Sequence, residues 1–343
     1  MEKNFKSILL IILLTIVSGS IGITPFLSSI FKDNSVLIIL SYVVIIICLL
    51  SLFNINNTTF KDLLHNPVNR AFSIVYLLLS IVYYICLMGV LINNLFYIIT
   101  PMTISLSVIT ILMIILSFNK RIININLFFI LGVFSSFILI FFIIFFPNSN
   151  LKLNLSSFKL DHIYLLSYLI LFIDLIFYKL YFSSRKDKPT NKSLIISTII
   201  AFILLSFFAF LDLTITRINY TNSPFNNILK YLLVLPSSNV YFDLLYFIVI
   251  IIFLVFKIII LTENLRVLLL KKKTEVFFFI AYFIIFLISN TIVNLVKDEN
   301  KLLNILLEMI TYCGSILLVS IGGTKLVKRI YKQWEKKNWL SLW

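Results

Sequence analysis

An all-α integral membrane fold of about ten transmembrane helices is the class this chain predicts, on three observations. Of its 343 residues 61% are hydrophobic and only 13% are charged, and its mean hydropathy is +1.08, a balance foreign to soluble globular domains. Its apolar runs repeatedly reach the roughly 20 residues that a helix needs to cross a hydrocarbon layer. Its cations crowd into alternate connecting segments.

Taken in order, the runs place spans at 7–31, 35–53, 71–91, 96–117, 125–146, 162–181, 194–212, 240–261, 275–296 and 302–323. Cytoplasmic loops carry the excess of Lys and Arg, so the amino terminus is set inside. Twenty of the 29 cations then fall on inner segments: Lys3 and Lys6, Lys61 and Arg70, Lys120 and Arg121, four from Arg185 to Lys192, Arg266 with Lys271 to Lys273, and six from Lys325 to Lys337. Seven fall outside (Lys32, Lys152, Lys159, Arg217, Lys230, Lys297 and Lys301), while Lys179 and Lys257 lie near the inner ends of their spans. Both termini are therefore expected in the cytoplasm, with residues 1–323 forming one polytopic domain and 324–343 a basic interfacial tail that holds Trp334, Trp339 and Trp343. The net charge of +15 is thereby accounted for as an inner surface facing anionic lipid, and no nucleic-acid partner is expected. Lys3, Lys6 and the small Ser18-Gly19-Ser20 also suit a cleavable signal, but the apolar run continues to Phe31, so this segment is read as a retained span.

Span 1 carries a break signal, Ser18-Gly19-Ser20-Ile21-Gly22-Ile23-Thr24-Pro25. Proline removes a backbone donor and clashes with the preceding turn, and glycine loses the most entropy in a helix. Unpaired backbone at membrane depth is tolerated where it lines a cavity, as at the centre of transporters with broken helices. Ser18, Gly19, Ser20, Gly22, Ile23 and Thr24 are accordingly candidate ligand-binding residues.

Ionisable residues within spans are costly and so are candidates by default. Asp174 lies in the middle of span 6, with Ser167 and Tyr168 about two turns before it and Lys179 five residues after. It is suited to bind an amine or carry a proton, or to pair with a neighbouring helix or with Lys179. Glu308, in span 10, is a candidate for proton or ion binding or for helix pairing, with Thr311 and Ser315 suggesting an interhelical hydrogen-bond seam. Asp212 and Asp243 lie near outer span ends, where water reaches them. Between spans 7 and 8, Ser223 to Pro236 reads as an amphipathic surface helix on the outer face, either a lid or a connector.

Catalytic signatures are absent: the sequence contains no G-x-x-x-x-G-K-[ST], H-E-x-x-H or G-x-S-x-G, and neither His65 nor His162 has a carboxylate or nucleophile at a defensible spacing. Cys48, Cys86 and Cys313 fall inside spans without metal or disulfide spacing. No enzyme activity, cofactor or metal is expected.

The order of landmarks resembles the spore germination permease family, the B subunits of nutrient germinant receptors within the amino acid/polyamine/organocation superfamily. Those landmarks are the glycine-containing break in span 1, the inner loop Phe60-Lys61-Asp62-Leu63-Leu64, Ile99-Thr100-Pro101 opening span 4, Asp174 about ten residues before a basic loop, and Ser223-Pro224-Phe225 before span 8. Span 6 departs by lacking Gly and Pro, and Lys120-Arg121 stands where the family tends to have a glycine-led motif. The resemblance implies a LeuT-like 5+5 inverted repeat, a small nutrient such as an amino acid held between spans 1 and 6, A-type and C-type subunits as partners, and residence in the inner spore membrane. An ion-coupled amino-acid or small-solute secondary transporter is the alternative.

Overall fold

The structure, a computed structural model, describes residues 8–16, 19, 58–96, 102–118, 168–183, 195–205, 240–270, 275–296 and 299–340. Nearly all of these are helical, and among the described residues there is no strand. Seven helices are labelled here: α1 (Phe60–His65), α2 (Pro67–Phe96), α3 (Met102–Phe118), α4 (Tyr168–Ser183), α5 (Val240–Leu269), α6 (Glu275–Leu295) and α7 (Glu299–Leu340). Residues 8–16 and 195–205 are also helical. Among the described residues three segments are long and apolar enough to cross a membrane, Pro67–Ile92, Val276–Leu295 and Lys301–Tyr331, as an all-α membrane fold requires. The spans predicted at 35–53 and 125–146, the segment Ser223 to Pro236, and Ser18, Ser20, Gly22, Ile23 and Thr24 lie outside the described residues.

Local chemistry corrects one expectation. Phe60 to Leu64, read above as loop, is the helix α1. Thr59 caps it: the Asp62 amide donates to Thr59 Oγ1 at 3.4 Å, and the Thr59 amide donates to Asp62 Oδ2 at 3.0 Å, the reciprocal arrangement of a capping box. Asn66 then ends α1 in an extended conformation, φ −99° and ψ 114°, as a residue before proline favours. Its side-chain oxygen accepts from the amides of Val68 at 3.0 Å and Asn69 at 3.4 Å, so it also caps α2, whose first residue is Pro67. Proline suits that position because its missing N–H would have had no helical partner. At the carboxyl end α7 runs without interruption through residue 323 to Leu340, so the span and the start of the basic tail share one helix.

Central to the packing is α2, which meets α5, α7 and α3 and also touches α6 and α1. Inside its apolar window 78% of residues are buried, against 28% for α6, whose Val276, Phe279, Ile280, Phe283, Ile284 and Leu287 are exposed. An apolar face of that kind suits lipid.

Cross-links fix the helix directions. Arg70 Nε donates to the Leu268 carbonyl at 3.1 Å, while Tyr84 meets Lys257, so α2 and α5 run antiparallel. Asn69 bonds Ser320 and Thr324, and Cys313 lies against the Phe72 carbonyl, so α2 and α7 are antiparallel too. Asp174 meets Lys257, and Phe177 meets Asn264, so α4 runs parallel to α5. The start of α2 and the ends of α4, α5 and α7 therefore share one end of the bundle, called the basic end below. These are segments that the cation count had assigned to one side.

Candidate functional site

A polar stripe inside the bundle begins with spacing on α2. Asn69, Ser73, Tyr76, Ser80 and Tyr84 follow one another by four, three, four and four residues, which keeps them on one helix face. Asn69, Ser73, Ser80 and both tyrosines are buried. On α4, Asp174 faces this stripe and is fully buried.

Asp174 is held from two helices. Tyr76 Oη donates to Asp174 Oδ1 at 2.8 Å and also lies 3.0 Å from the Ile170 carbonyl, so a single phenolic proton stands between two acceptors. Tyr84 Oη lies 3.4 Å from Oδ2. From α5, Lys257 Nζ donates to Oδ2 at 2.5 Å, both side chains being 1% exposed. The ammonium sits 3.7 Å from the centroid of the Tyr84 ring and 5.8 Å from that of Tyr178, within reach of a cation–π attraction. A carboxylate or ammonium alone at this depth would carry an uncompensated desolvation penalty; paired and hydrogen-bonded, the two form a neutral dipole that the interior tolerates.

Packing around the pair is close. Tyr76 stacks on Phe177 with ring centroids 5.8 Å apart and planes 13° apart. Gly314 of α7 floors the same ring: a Cβ there would stand 2.5 Å from Ile173 Cδ1 and 3.2 Å from Tyr76 Cε2. Seven residues beyond Lys257 on α5, Asn264 Nδ2 donates to the Phe177 carbonyl at 3.0 Å, which ties α5 to α4 along the same face.

The predicted residues divide as follows. Asp174 is at the centre, and the structure selects its pairing with a neighbouring helix; the ammonium bound to it is that of Lys257, not Lys179. Five residues turn Lys179 about 140° around α4 from Asp174, and it is half-buried nearer the basic end. Gly19 is helical, and a Cβ on it would stand 2.6 Å from Leu205 Cδ2 and 2.9 Å from Leu171 Cδ1. That contact brings the first span to α4 one turn before Asp174. Glu308 is half-buried on α7. Beside it Thr311 Oγ1 donates to the Leu307 carbonyl and Ser315 Oγ to the Thr311 carbonyl, both within α7. Asp212 lies outside the described residues, and Asp243 falls in the first turn of α5. His65 is exposed at the end of α1.

Sequence reasoning missed Lys257, Tyr76 and Tyr84. Lys257 was assigned to the inner end of its span by counting from the span boundary, yet it is the only Asp, Glu, Lys, Arg or His between Asp243 and Glu263, and a lone intramembrane cation calls for an intramembrane anion. Chemically, the arrangement offers an acceptor for a cationic amine, a donor for a carboxylate, and phenols that donate to whichever anion is present. No protein-family model, curated protein or solved structure matches this chain.

Proposed function

We propose that the chain is a permease-like membrane protein that binds a small nutrient of amino-acid type beside Asp174, and that it serves as the B subunit of a spore germinant receptor. The observation that carries the binding part is the buried Asp174–Lys257 pair: its two charges are the mirror of a zwitterion, so an ammonium and a carboxylate from one small molecule can replace them with charge balance kept throughout. The contact of Gly19 with Leu171, one turn from Asp174, supports a site shared by spans 1 and 6, as the resemblance to germination permeases implies. Backbone freed at Gly19 to Thr24 would complete it from the other side, in a ten-span LeuT-like repeat with both termini in the cytoplasm of the inner spore membrane. The chain works as a receptor with A-type and C-type subunits and performs no catalysis.

The test uses spores that lack redundant receptors and carry Asp174→Asn or Gly22→Trp, with immunoblots confirming that the subunits are present. The reading requires selective loss of the response to one nutrient while pressure-triggered germination persists; unchanged nutrient germination in both variants overturns it.

Secondary transport is the second reading, favoured by one detail. A carboxylate that takes hydrogen bonds from a phenol and an ammonium has a ready route for exchanging a proton. Uptake of labelled amino acid into proteoliposomes, driven by a pH gradient and abolished by Asp174→Asn, would establish it in place of the receptor.

A further inference from the structure

At the basic end a second charged cluster forms from three helices, apart from the Asp174 site. Lys325 Nζ of α7 donates to Thr58 Oγ1 at 2.9 Å. One turn on, Lys328 Nζ stands 3.6 Å from Asp62 Oδ1 of α1. Lys179 approaches from α4. Helices α4 and α7 run parallel and touch where Gly314 faces Ile173; Lys179 lies six residues past that contact and Lys325 eleven, about 9 and 16 Å at the helical rise. Both side chains lean toward the amino end of their parallel helices, so an axial offset of about 7 Å remains between them, within the combined reach of two lysine side chains. The charged neighbours acting on Lys325 are Asp62, Lys179 and Lys328.

Among the described residues this cluster thus sets three ammonium groups against one carboxylate. Lys179 and Lys325 are both half-buried, where water screens like charges less than at an open surface. The location adds the remaining constraint. Exposed apolar residues of α7 run from Ile316 and Val319 past the cations to Tyr331 and Trp334, so the cluster lies in the last turns of the membrane-length segment Lys301–Tyr331, next to the headgroup layer. Basic clusters between helices at that depth suit phosphorylated headgroups, and lysine binds phosphate as a point charge.

We propose that the lysine cluster at α1, α4 and α7, formed by Lys179, Lys325 and Lys328 beside Thr58, binds a phosphate group, supplied by an anionic phospholipid of the leaflet at the basic end. The site does not depend on the nutrient reading and stands if that reading fails.

The experiment is native mass spectrometry of the full chain released from nanodiscs of equimolar phosphatidylglycerol and phosphatidylcholine. Wild type retains phosphatidylglycerol preferentially. Lys179→Gln and Lys325→Gln each lower that retention about fivefold, the equivalent of about 1 kcal/mol per lysine, whereas Arg329→Gln, a charge loss of the same size at an exposed position of α7, leaves it unchanged. Equal retention in all four proteins, or equal loss in all three variants, overturns the site. Should the two buried variants fail to fold, Lys328→Gln, whose side chain is 68% exposed, carries the same comparison with Arg329→Gln. A parallel arm adds inorganic phosphate to lipid-stripped protein in detergent: thermal stabilisation of wild type but not of Lys179→Gln, without lipid retention, assigns the cluster to a soluble phosphate, and stabilisation in neither arm overturns it.

Discussion

At the scale of residues, the Asp174–Lys257 pair dictates how mutations combine. Removing one partner leaves a buried charge and costs about 3–5 kcal/mol, while removing both is close to neutral. Asp174→Asn and Lys257→Met are each expected to lower the melting temperature of the detergent-purified protein markedly, and the double variant to recover most of the loss; a double variant as unstable as the worse single would contradict the pairing. Glycines on α7 offer a second contrast. Gly314→Ala must displace the tip of buried Ile173 against Tyr76 and is expected to destabilise by about 1–3 kcal/mol. Gly323→Ala meets nothing within 4 Å and gains about 0.5–1 kcal/mol from helix propensity. Thermal melts of the two variants should therefore move in opposite directions.

These residues also mark how far the sequence alone could be read. Asp174 stood out because a carboxylate in an apolar run has no bland explanation. Lys257 was equally anomalous, but its distance from the end of a run whose boundary was set eight residues short of the helix end at Leu269 made it look interfacial. Tyr76 and Tyr84 were silent because buried tyrosine is ordinary in membrane helices, and only the fold shows which of the chain's 16 tyrosines point at a carboxylate.

At the scale of elements, α1 is short enough to depend on its cap. Burial works to raise the Asp62 carboxyl, but the hydrogen bonds from Thr59 and the nearby Lys325 and Lys328 outweigh it and hold the group below its ordinary value. A depressed carboxylate stabilises the folded state above its unfolded value, about 3.9, and that contribution fades as pH falls through the lower folded value. Asp62→Ala is thus expected to weaken α1 by about 1 kcal/mol near neutrality, read as faster amide exchange over residues 60–65, with the difference from wild type vanishing in acid. A difference that persists at the lowest pH would place the effect outside the carboxylate. The capping box Thr59-x-x-Asp62 was present in the sequence, but six residues between apolar runs read as connection, since a helix so short has no period to detect.

At the scale of the whole molecule, the alternation of cations anticipated which ends lie together, because the positive-inside bias sums over many weak contributions and survives errors in any one boundary. Single cysteines at Asn66, Leu270 and Leu326, in a background lacking Cys48, Cys86 and Cys313, are expected to react with a membrane-impermeant maleimide from the same side of sealed vesicles, and one at Val296 from the opposite side. Labelling of the first three from different sides would refute the helix directions given above. The packing order of the helices was not legible, since apolar faces of similar composition do not say which neighbour they meet.

The interhelical polar bonds described above run from Asn69, Arg70 and Lys325 at the basic end up to the level of Asp174. Asp174–Lys257 is the last of these bonds counted from the basic end, so a separation of α4 from α5 that starts at the far end breaks that pair before the Asn264 bond below it.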